Sequence, residues 1–236
     1  MSLKGKLFLI PNVIAEGTHE MVIPASVRNA LPDIHHFLAE DIRTARRYLS
    51  SLKIYDTIES LHFKVLDKDT QENELNEMFT PVSDGKNLGV ISESGCPGVA
   101  DPGALAVKYA HRHHIQVVPL TGPSSILLAL MASGLNGQRF AFHGYLPIDS
   151  KESLTAIKEF EKESRIKNQT QIFIETPYRN NQVAANLLKG LHPETLLCMS
   201  VDVSGSQESI LMHPVKEWKQ KSTELPKLPA VFLFLA

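Results

Sequence analysis

Short apolar runs alternate with longer amphipathic segments along the chain of 236 residues, and this alternation limits the fold more than any other feature. The strand-like runs are residues 6–10, 36–39, 88–92, 116–120, 139–143, 171–175, 196–201 and 230–235. The clearest helical segments are residues 42–52, 102–113, 125–133, 151–164 and 180–189. Residues 59–66 and 208–213 fit either further strands or irregular connections. The alternation predicts an α/β fold with mostly parallel sheets.

The chain contains no internal repeat and no long polar linker, so any domain boundary must be a short hinge. A cluster of proline and glycine at residues 119–123, near the midpoint, is the best candidate. We therefore expect two α/β domains, residues 1–119 and 120–236, each of ordinary domain size. A cleft between two such domains is a common place for an active site.

Composition excludes several classes of protein. With 43% hydrophobic and 21% charged residues the chain is typical of globular proteins. Its longest apolar runs, residues 126–132 and 230–236, fall far short of the ~20 residues that cross a bilayer. There are two cysteines, Cys96 and Cys198, and no zinc-ligand spacing. We expect a cytoplasmic protein with free thiols and neither membrane segment nor metal.

The net charge of −2 gives the whole molecule no field that would attract nucleic acid. A polyanion would have to meet a local basic patch. Arg43, Arg46 and Arg47 can provide one, because their spacing of three and four residues places them on one helix face. A charged face of this kind is more often simply solvated.

A glycine-rich loop, residues 92–103, follows the predicted strand at 88–92. Such a loop lies at the carboxyl end of a parallel strand, where α/β sheets bind ligands. Asp101 and Pro102 fit the N-cap and first position of the next helix. Capping does not explain the length of the loop or its glycines, Gly95, Gly98 and Gly103, which would let the backbone approach a ligand closely. We interpret the segment as a ligand-binding loop.

A second turn, residues 119–125, also joins a strand to a helix and leaves free N–H groups at the helix start. Such groups favour a carboxylate or phosphate, although the same sequence is also a common helix cap. Neither loop matches the phosphate-binding pattern of kinases or the glycine pattern of dinucleotide-binding dehydrogenases.

Two neighbouring carboxylates, Glu40 and Asp41, follow the predicted strand at 36–39. A carboxylate at the end of a strand can act as a general base or as a helix cap. The sequence leaves both roles open.

Several motifs in a fixed order, covering nearly the whole chain, carry a family resemblance. Residues 39–43 are similar to the family pattern A-E-D-x-R, and residues 92–103 to S-D-A-G-T-P-x-x-x-D-P-G. Residues 119–125, 129–135, 139–147 and 172–179 match further motifs, the last similar to I-F-Y-E-S-P-H-R. The chain thus resembles the tetrapyrrole-methylase superfamily of S-adenosylmethionine (SAM) dependent methyltransferases. Within it, the chain resembles the small-subunit ribosomal RNA cytidine 2′-O-methyltransferases.

The resemblance implies a homodimer of two α/β domains with SAM in the cleft between the domains, and ribosomal RNA or the small ribosomal subunit as substrate. It places the following residues around the cofactor: Ser92, Glu93, Ser94, Gly95, Cys96, Pro97, Asp101, Thr121, Gly122, Pro123, Ser124, Ser125, Leu146, Pro147 and Glu175. For the catalytic residues, our hypothesis is that Glu40 or Asp41 assists the acceptor hydroxyl and that Arg43 holds a phosphate.

The chain departs from the family pattern in two places. Residues 12–16 read N-V-I-A-E where the family has T-P-I-G-N, and residues 200–205 lack the arginine and lysine of the family's A-R-E-x-T-K. Two alternatives therefore stay open. One is methylation of a tetrapyrrole precursor, although the usual G-x-G-x-G-D is absent. The other is a diverged SAM- or RNA-binding module with little turnover.

Overall fold

The computed structural model describes residues 5–221 and 224–236. Its contacts divide the chain into two compact units, one ending at Ser124 and the other beginning at Ser125. The division therefore falls after residue 124 rather than after residue 119. The backbone N–H of Leu120 donates to the carbonyl of Leu9 at 3.0 Å, and this hydrogen bond ties the chain just after residue 119 to the first unit.

The first unit alternates strands and helices. Its strands are β1 (Leu7–Ile10), β2 (Ile34–Ala39), β3 (His62–Val65), β4 (Asn87–Ile91) and β5 (Val117–Pro119). Its helices are α1 (His19–Val22), α2 (Ala25–Ala30), α3 (Ile42–Ser51), α4 (Glu72–Met78), α5 (Thr80–Ser83) and α6 (Gly103–Arg112). The segment at 59–66 thus contains a strand. Helices α1, α2, α4 and α5 are not among the predicted elements, because each is short and buries few side chains.

The five strands of this unit form one parallel sheet in the order β3-β2-β4-β1-β5. Side chains of β1, β2 and β4 that point to opposite faces of the sheet enter two different hydrophobic clusters. Leu7 packs with Leu38 and Leu88 and with α4 and α6, whereas Ile10 packs with Phe37 and α3. Helices therefore cover both faces, as a fully parallel sheet requires, and the α/β prediction is confirmed.

The sequence of α3 combines a buried apolar face with a capping residue. Ala45, Tyr48 and Leu49 are buried at helical spacing, while the arginines lie on the exposed face. Asp41 is the N-cap, and its carboxylate accepts a hydrogen bond from the backbone N–H of Thr44 at 2.7 Å.

The second unit has five strands: β6 (Phe140–Phe142), β7 (Thr170–Glu175), β8 (Leu196–Val201), β9 (Ser209–Pro214) and β10 (Ala230–Leu235). Its helices are α7 (Ser125–Ser133), α8 (Ser150–Lys167), α9 (Asn180–Gly190) and α10 (Val215–Trp218). The segment at 208–213 contains a strand. The four predicted strands of this unit, at residues 139–143, 171–175, 196–201 and 230–235, are present. Its three predicted helices, at residues 125–133, 151–164 and 180–189, are present as well.

The prediction of mostly parallel sheets is wrong for this unit. Its strand order is β6-β7-β10-β8-β9, and only β6 and β7 pair in parallel. The other three pairings are antiparallel. The reason lies in the connections, because the short loop between β8 and β9 cannot carry the crossover of a dozen or more residues that a parallel pair needs.

The core of the second unit is built around β7, β8 and β10. Phe173, Phe232 and Phe234 are fully buried there, together with Ile157 from α8 and Leu187 from α9. This packing fixes the end of β7, from which the next loop and α9 depart.

Candidate functional site

Four strands of the first sheet end at the same edge. Ile10, Ala39 and Ile91 are register partners at the carboxyl ends of β1, β2 and β4, and Pro119 at the end of β5 pairs with Leu9. The loops that follow these strands therefore leave the sheet side by side. They carry most of the predicted site residues.

The loop at residues 92–97 is held by Asn12, which follows β1. The buried side-chain amide of Asn12 donates to the carbonyls of Ser92 and Glu93 at 3.1 Å each. Its backbone N–H donates to the carbonyl of Gly95 at 2.9 Å. Asn12 is not among the predicted site residues, although it is one of the positions that depart from the family pattern. A polar residue directly after a buried strand is the signal that could have identified it.

Within this loop, the Ser92 hydroxyl donates to the carbonyl of Ser94 at 2.9 Å. Gly95 has a φ of +69°, a conformation that side-chain-bearing residues rarely adopt. A Cβ at this position would lie 3.3 Å from Cγ2 of Ile14 and 3.4 Å from the carbonyl oxygen of Pro123. The loop is thus a rigid backbone turn with exposed side chains at Glu93 and Ser94.

Asp101 closes the remainder of the glycine-rich segment. Its Oδ1 accepts from the backbone N–H groups of Gly98 at 2.6 Å and Gly103 at 2.7 Å. The predicted positions need a correction, since Pro102 is the N-cap of α6 and Gly103 its first residue. Asp101 lies one residue before the cap, because this position lets one oxygen reach both N–H groups.

The turn at residues 121–124 packs against the same loops. A Cβ on Gly122 would lie 2.0 Å from Cβ of Pro11, so only glycine fits there. The thiol of Cys96 donates to the carbonyl of Pro123 at 3.4 Å, and burial raises the pKa of this thiol. The two predicted cofactor loops of the first unit, residues 92–97 and 121–124, are therefore in direct contact. Ser125 is the first residue of α7.

Glu40 and Asp41 have different environments. The backbone hydrogen bond from Thr44 lowers the pKa of Asp41, which is fully exposed. Burial raises the pKa of Glu40, and the neighbouring acids Glu93 and Asp101 add to this effect. Asp41 is thus a helix cap, and Glu40 is the better proton acceptor of the two.

The arginines of α3 are exposed, as their spacing predicts. The guanidinium of Arg46 lies 5.3 Å from the ring centre of Phe63. Arg46 and Arg47 also line an open hollow of about 460 Å³ together with Asp56 and Glu59. Arg43 is not among the residues that line this hollow.

In the second unit, Leu146, Pro147 and Glu175 meet around Arg179. The guanidinium donates to the carbonyls of Leu146 at 3.4 Å and Pro147 at 3.2 Å. It also lies 3.3 Å from Oε2 of the buried Glu175 carboxylate. The other oxygen, Oε1, accepts from the backbone N–H of Thr176 at 2.7 Å. Arg179 is missing from the predicted site residues, because Glu175 ends a strand and Arg179 caps the next helix, so no helical spacing indicates the pair.

Within residues 5–221 and 224–236, no three His, Cys, Asp or Glu side chains are placed so that they could hold a metal ion. No helix in this described part of the chain has the length and apolar character needed to cross a bilayer.

The family model "Tetrapyrrole (Corrin/Porphyrin) Methylases" matches residues 19–217 of the chain. A "Ribosomal RNA small subunit methyltransferase I" from Escherichia coli O157:H7 is 27% identical over 91% of this chain and 71% of the relative. The protein of the same name from Buchnera aphidicola subsp. Acyrthosiphon pisum is 25% identical over 87% of this chain and 69% of the relative.

Among solved structures, the chain is similar to the uroporphyrin-III C-methyl transferase of Thermus thermophilus complexed with S-adenyl homocysteine. The TM-score is 0.58 at 17% sequence identity, covering 98% of this chain and 97% of the other. This likeness concerns the fold.

Proposed function

Because the chain belongs to the tetrapyrrole (corrin/porphyrin) methylase family of SAM-dependent methyltransferases, we propose that it methylates a ribose 2′-hydroxyl of small-subunit ribosomal RNA. The names of its relatives in Escherichia coli and Buchnera support this acceptor, since the alignments cover most of this chain. The observation that carries the proposal is the contact between two strand-to-helix loops at one sheet edge, with Glu40 beside them.

The first unit offers a backbone site that fits SAM. Gly95 adopts a left-handed conformation, and Gly122 lies where any side chain would strike Pro11. SAM carries a carboxylate and an ammonium, so N–H groups and carbonyls can bind it without a metal. We assign this role to the loop at residues 92–97 and the turn at 121–124, followed by Ser125 at the start of α7. Asn12 holds the loop in shape, and Asp101 holds the segment that follows it.

For the second unit, we retain Leu146, Pro147 and Glu175 as proposed cofactor-site residues. Both backbone carbonyls contact Arg179, and the buried Glu175 carboxylate faces the same guanidinium. Glu175 would therefore act by fixing the position of Arg179 and the 146–147 backbone.

SAM, when bound, supplies an electrophilic methyl group. As the new carbon–oxygen bond forms, the bond between the methyl carbon and sulfur breaks with its electron pair left on sulfur, and the acceptor hydroxyl must lose its proton. We assign the proton to the carboxylate of Glu40, whose raised pKa suits a base better than the lowered pKa of Asp41. Arg43 is exposed on α3, the helix that Asp41 caps, and would hold a phosphate of the RNA.

The acceptor can be tested with methyl-labelled SAM and purified protein, offered either small ribosomal subunits or uroporphyrinogen. Label on the ribose of the RNA is the expected result. Label on the tetrapyrrole would show that the acceptor is a tetrapyrrole precursor and not ribosomal RNA. SAM binding without transfer to either substrate would indicate a binding module.

The catalytic assignment can be tested with two neighbouring variants. Glu40→Gln should lower turnover about 10²–10⁴-fold, the usual contribution of a general base, while SAM affinity stays unchanged. Asp41→Asn should keep most activity, because asparagine is also a good N-cap. Full turnover in Glu40→Gln would refute the role of Glu40.

We further propose a homodimer located in the cytoplasm, where ribosomal subunits are found. Exposed apolar side chains of the second unit support self-association, among them Met131, Phe140 and Leu211. Light scattering on the purified protein should give twice the chain mass. A mass equal to that of one chain would refute the dimer.

A further inference from the structure

An exposed tyrosine lies at the end of the loop between β7 and α9. The side chain of Tyr178 is 85% exposed, which is unusual for a large aromatic residue. The ammonium of Lys227 lies 6.0 Å from the centre of its ring. The chain therefore presents an aromatic face and a positive charge together on the surface of the second unit.

The backbone on both sides of Tyr178 is held in place. Before it, the N–H and hydroxyl of Thr176 both donate to Oε1 of Glu175, at 2.7 and 3.2 Å. After it, the N–H of Arg179 donates to the carbonyl of Thr176 at 3.0 Å, and its guanidinium is fixed at the 146–147 carbonyls. The ring is thus carried by a braced turn.

Lys227 is held next to this turn by the start of α9. The buried Asn180 donates to the carbonyls of Pro226 at 3.3 Å and Leu228 at 2.7 Å, which flank Lys227 on both sides. Asn181 exchanges two hydrogen bonds with Leu225, at 3.2 and 2.8 Å. The same two helix residues therefore fix the segment that carries the lysine beside the tyrosine.

We propose that Tyr178 and Lys227 form a platform on which an unpaired base of the substrate RNA stacks, with Lys227 contacting an adjacent phosphate. Aromatic side chains recognise single-stranded RNA by stacking on its exposed bases, and a nearby cation strengthens the contact. This inference rests on the proposed RNA acceptor and adds a binding site for a neighbouring nucleotide.

The test is fluorescence anisotropy of the full chain with a labelled single-stranded fragment of small-subunit ribosomal RNA. Tyr178→Ala should weaken binding about 5- to 100-fold, and Tyr178→Phe should bind nearly as the wild type does. Lys227→Gln should reduce the slope of log affinity against log salt by about 0.7, the value for one phosphate contact on a single strand. Tyr145→Ala removes another exposed tyrosine of the same unit and should leave binding unchanged.

A duplex of the same sequence provides a second readout, because paired bases cannot stack on the ring. Tyr178→Ala should change duplex binding little. Equal loss for duplex and single strand, or no loss for the single strand, would overturn the platform.

The outcomes separate this inference from the proposed acceptor. If the wild type methylates ribosomal RNA and Tyr178→Ala binds the fragment normally, the platform is wrong and the acceptor stands. If single-strand binding depends on Tyr178 but no label reaches ribosomal RNA, the acceptor is wrong and the platform stands. Absence of fragment binding by the wild type would refute the platform, and the acceptor is refuted as well if no label reaches ribosomal RNA in small subunits.

Discussion

Removal of the Arg179 guanidinium should destabilise the second unit, because Glu175 would keep a buried charge without its counter-ion. The Glu175 side chain is 1% exposed, and its Oε2 accepts no hydrogen bond from the described residues. The nearest positive charge is Nη1 of Arg179, at 3.3 Å. Arg179→Met keeps most of the apolar stem and removes the charge together with the donors to the Leu146 and Pro147 carbonyls, so a double variant is needed to isolate the ion pair.

The magnitude follows from the burial of the two partners. Removing one partner of a fully buried pair costs about 3–5 kcal/mol. Here Arg179 is 26% exposed, so water screens part of the interaction. We therefore expect a loss of about 2–4 kcal/mol in the free energy of unfolding. The double variant Glu175→Gln with Arg179→Met should lose less than the single one, because no unpaired charge remains buried.

Urea unfolding followed by Trp218 fluorescence measures this loss. Trp218 is the single tryptophan of the chain, and it is buried in the core of the second unit. With a slope of about 2 kcal/mol per molar urea, a loss of 3 kcal/mol moves the midpoint by about 1.5 M.

Lys167→Met is the matched control, because Lys167 and Glu163 form a pair at the same four-residue spacing and 3.0 Å. Both side chains are about half exposed, so this variant should lose less than about 0.5 kcal/mol. The reasoning is refuted if Arg179→Met loses less than about 1 kcal/mol, or if the double variant is no more stable than the single one.

Three further predictions concern the first unit. Gly122→Ala should lower the free energy of unfolding by about 1–3 kcal/mol and weaken SAM binding measured by calorimetry. Gly137→Ala is the control and should change neither quantity, because a Cβ there would meet nothing within 4 Å. Asp101→Ala should lower the unfolding free energy seen by circular dichroism by about 1–3 kcal/mol, because two N–H groups lose their acceptor; an unchanged value would contradict this. Only the ionised Glu40 can accept a proton, and its pKa is raised. As the pH is lowered, turnover should therefore begin to fall at a higher pH than an ordinary glutamate would cause. An identical pH profile in Glu40→Gln would exclude Glu40 as the cause.

Local patterns predicted well those elements whose sequence and packing agree. The segment at 42–52 has a capping aspartate, buried residues at helical spacing and arginines outside, and α3 occupies residues 42–51 of it. The strands at 196–201 and 230–235 match β8 and β10, because both are apolar runs buried in the core. The antiparallel pairing of β8 with β9 was missed because residues 208–213 fit either a strand or an irregular connection, so the short loop before them gave no direction. The other antiparallel pairings depend on how β10 inserts between β7 and β8, which the apolar runs do not show.

Site prediction succeeded for loops and failed for the residues that hold them. Glycine content marks the segment at 92–103 in the sequence alone. By contrast, Asn12 reaches this loop across 80 residues of chain, so its position after a buried strand can mark it as a candidate but cannot identify its partners. Arg179 contacts carbonyls 32 and 33 residues earlier. Long-range hydrogen bonds of this kind depend on the tertiary fold, which single-sequence patterns do not contain.

The order of the two neighbouring carboxylates explains how one dipeptide can provide both a cap and a base. The N-cap of α3 must accept the N–H of Thr44, and Asp41 has the short side chain that suits this position. That bond stabilises the ionised form and lowers the pKa of Asp41, so its carboxylate becomes a weaker base. Glu40 lies one residue earlier, at the sheet edge near Glu93 and Asp101, where partial burial and like charges raise its pKa. Glu40 is therefore the better acceptor for a hydroxyl proton. The hydrogen bond from Thr44 makes Asp41 a helix cap rather than a base, and it also fixes the backbone next to Glu40.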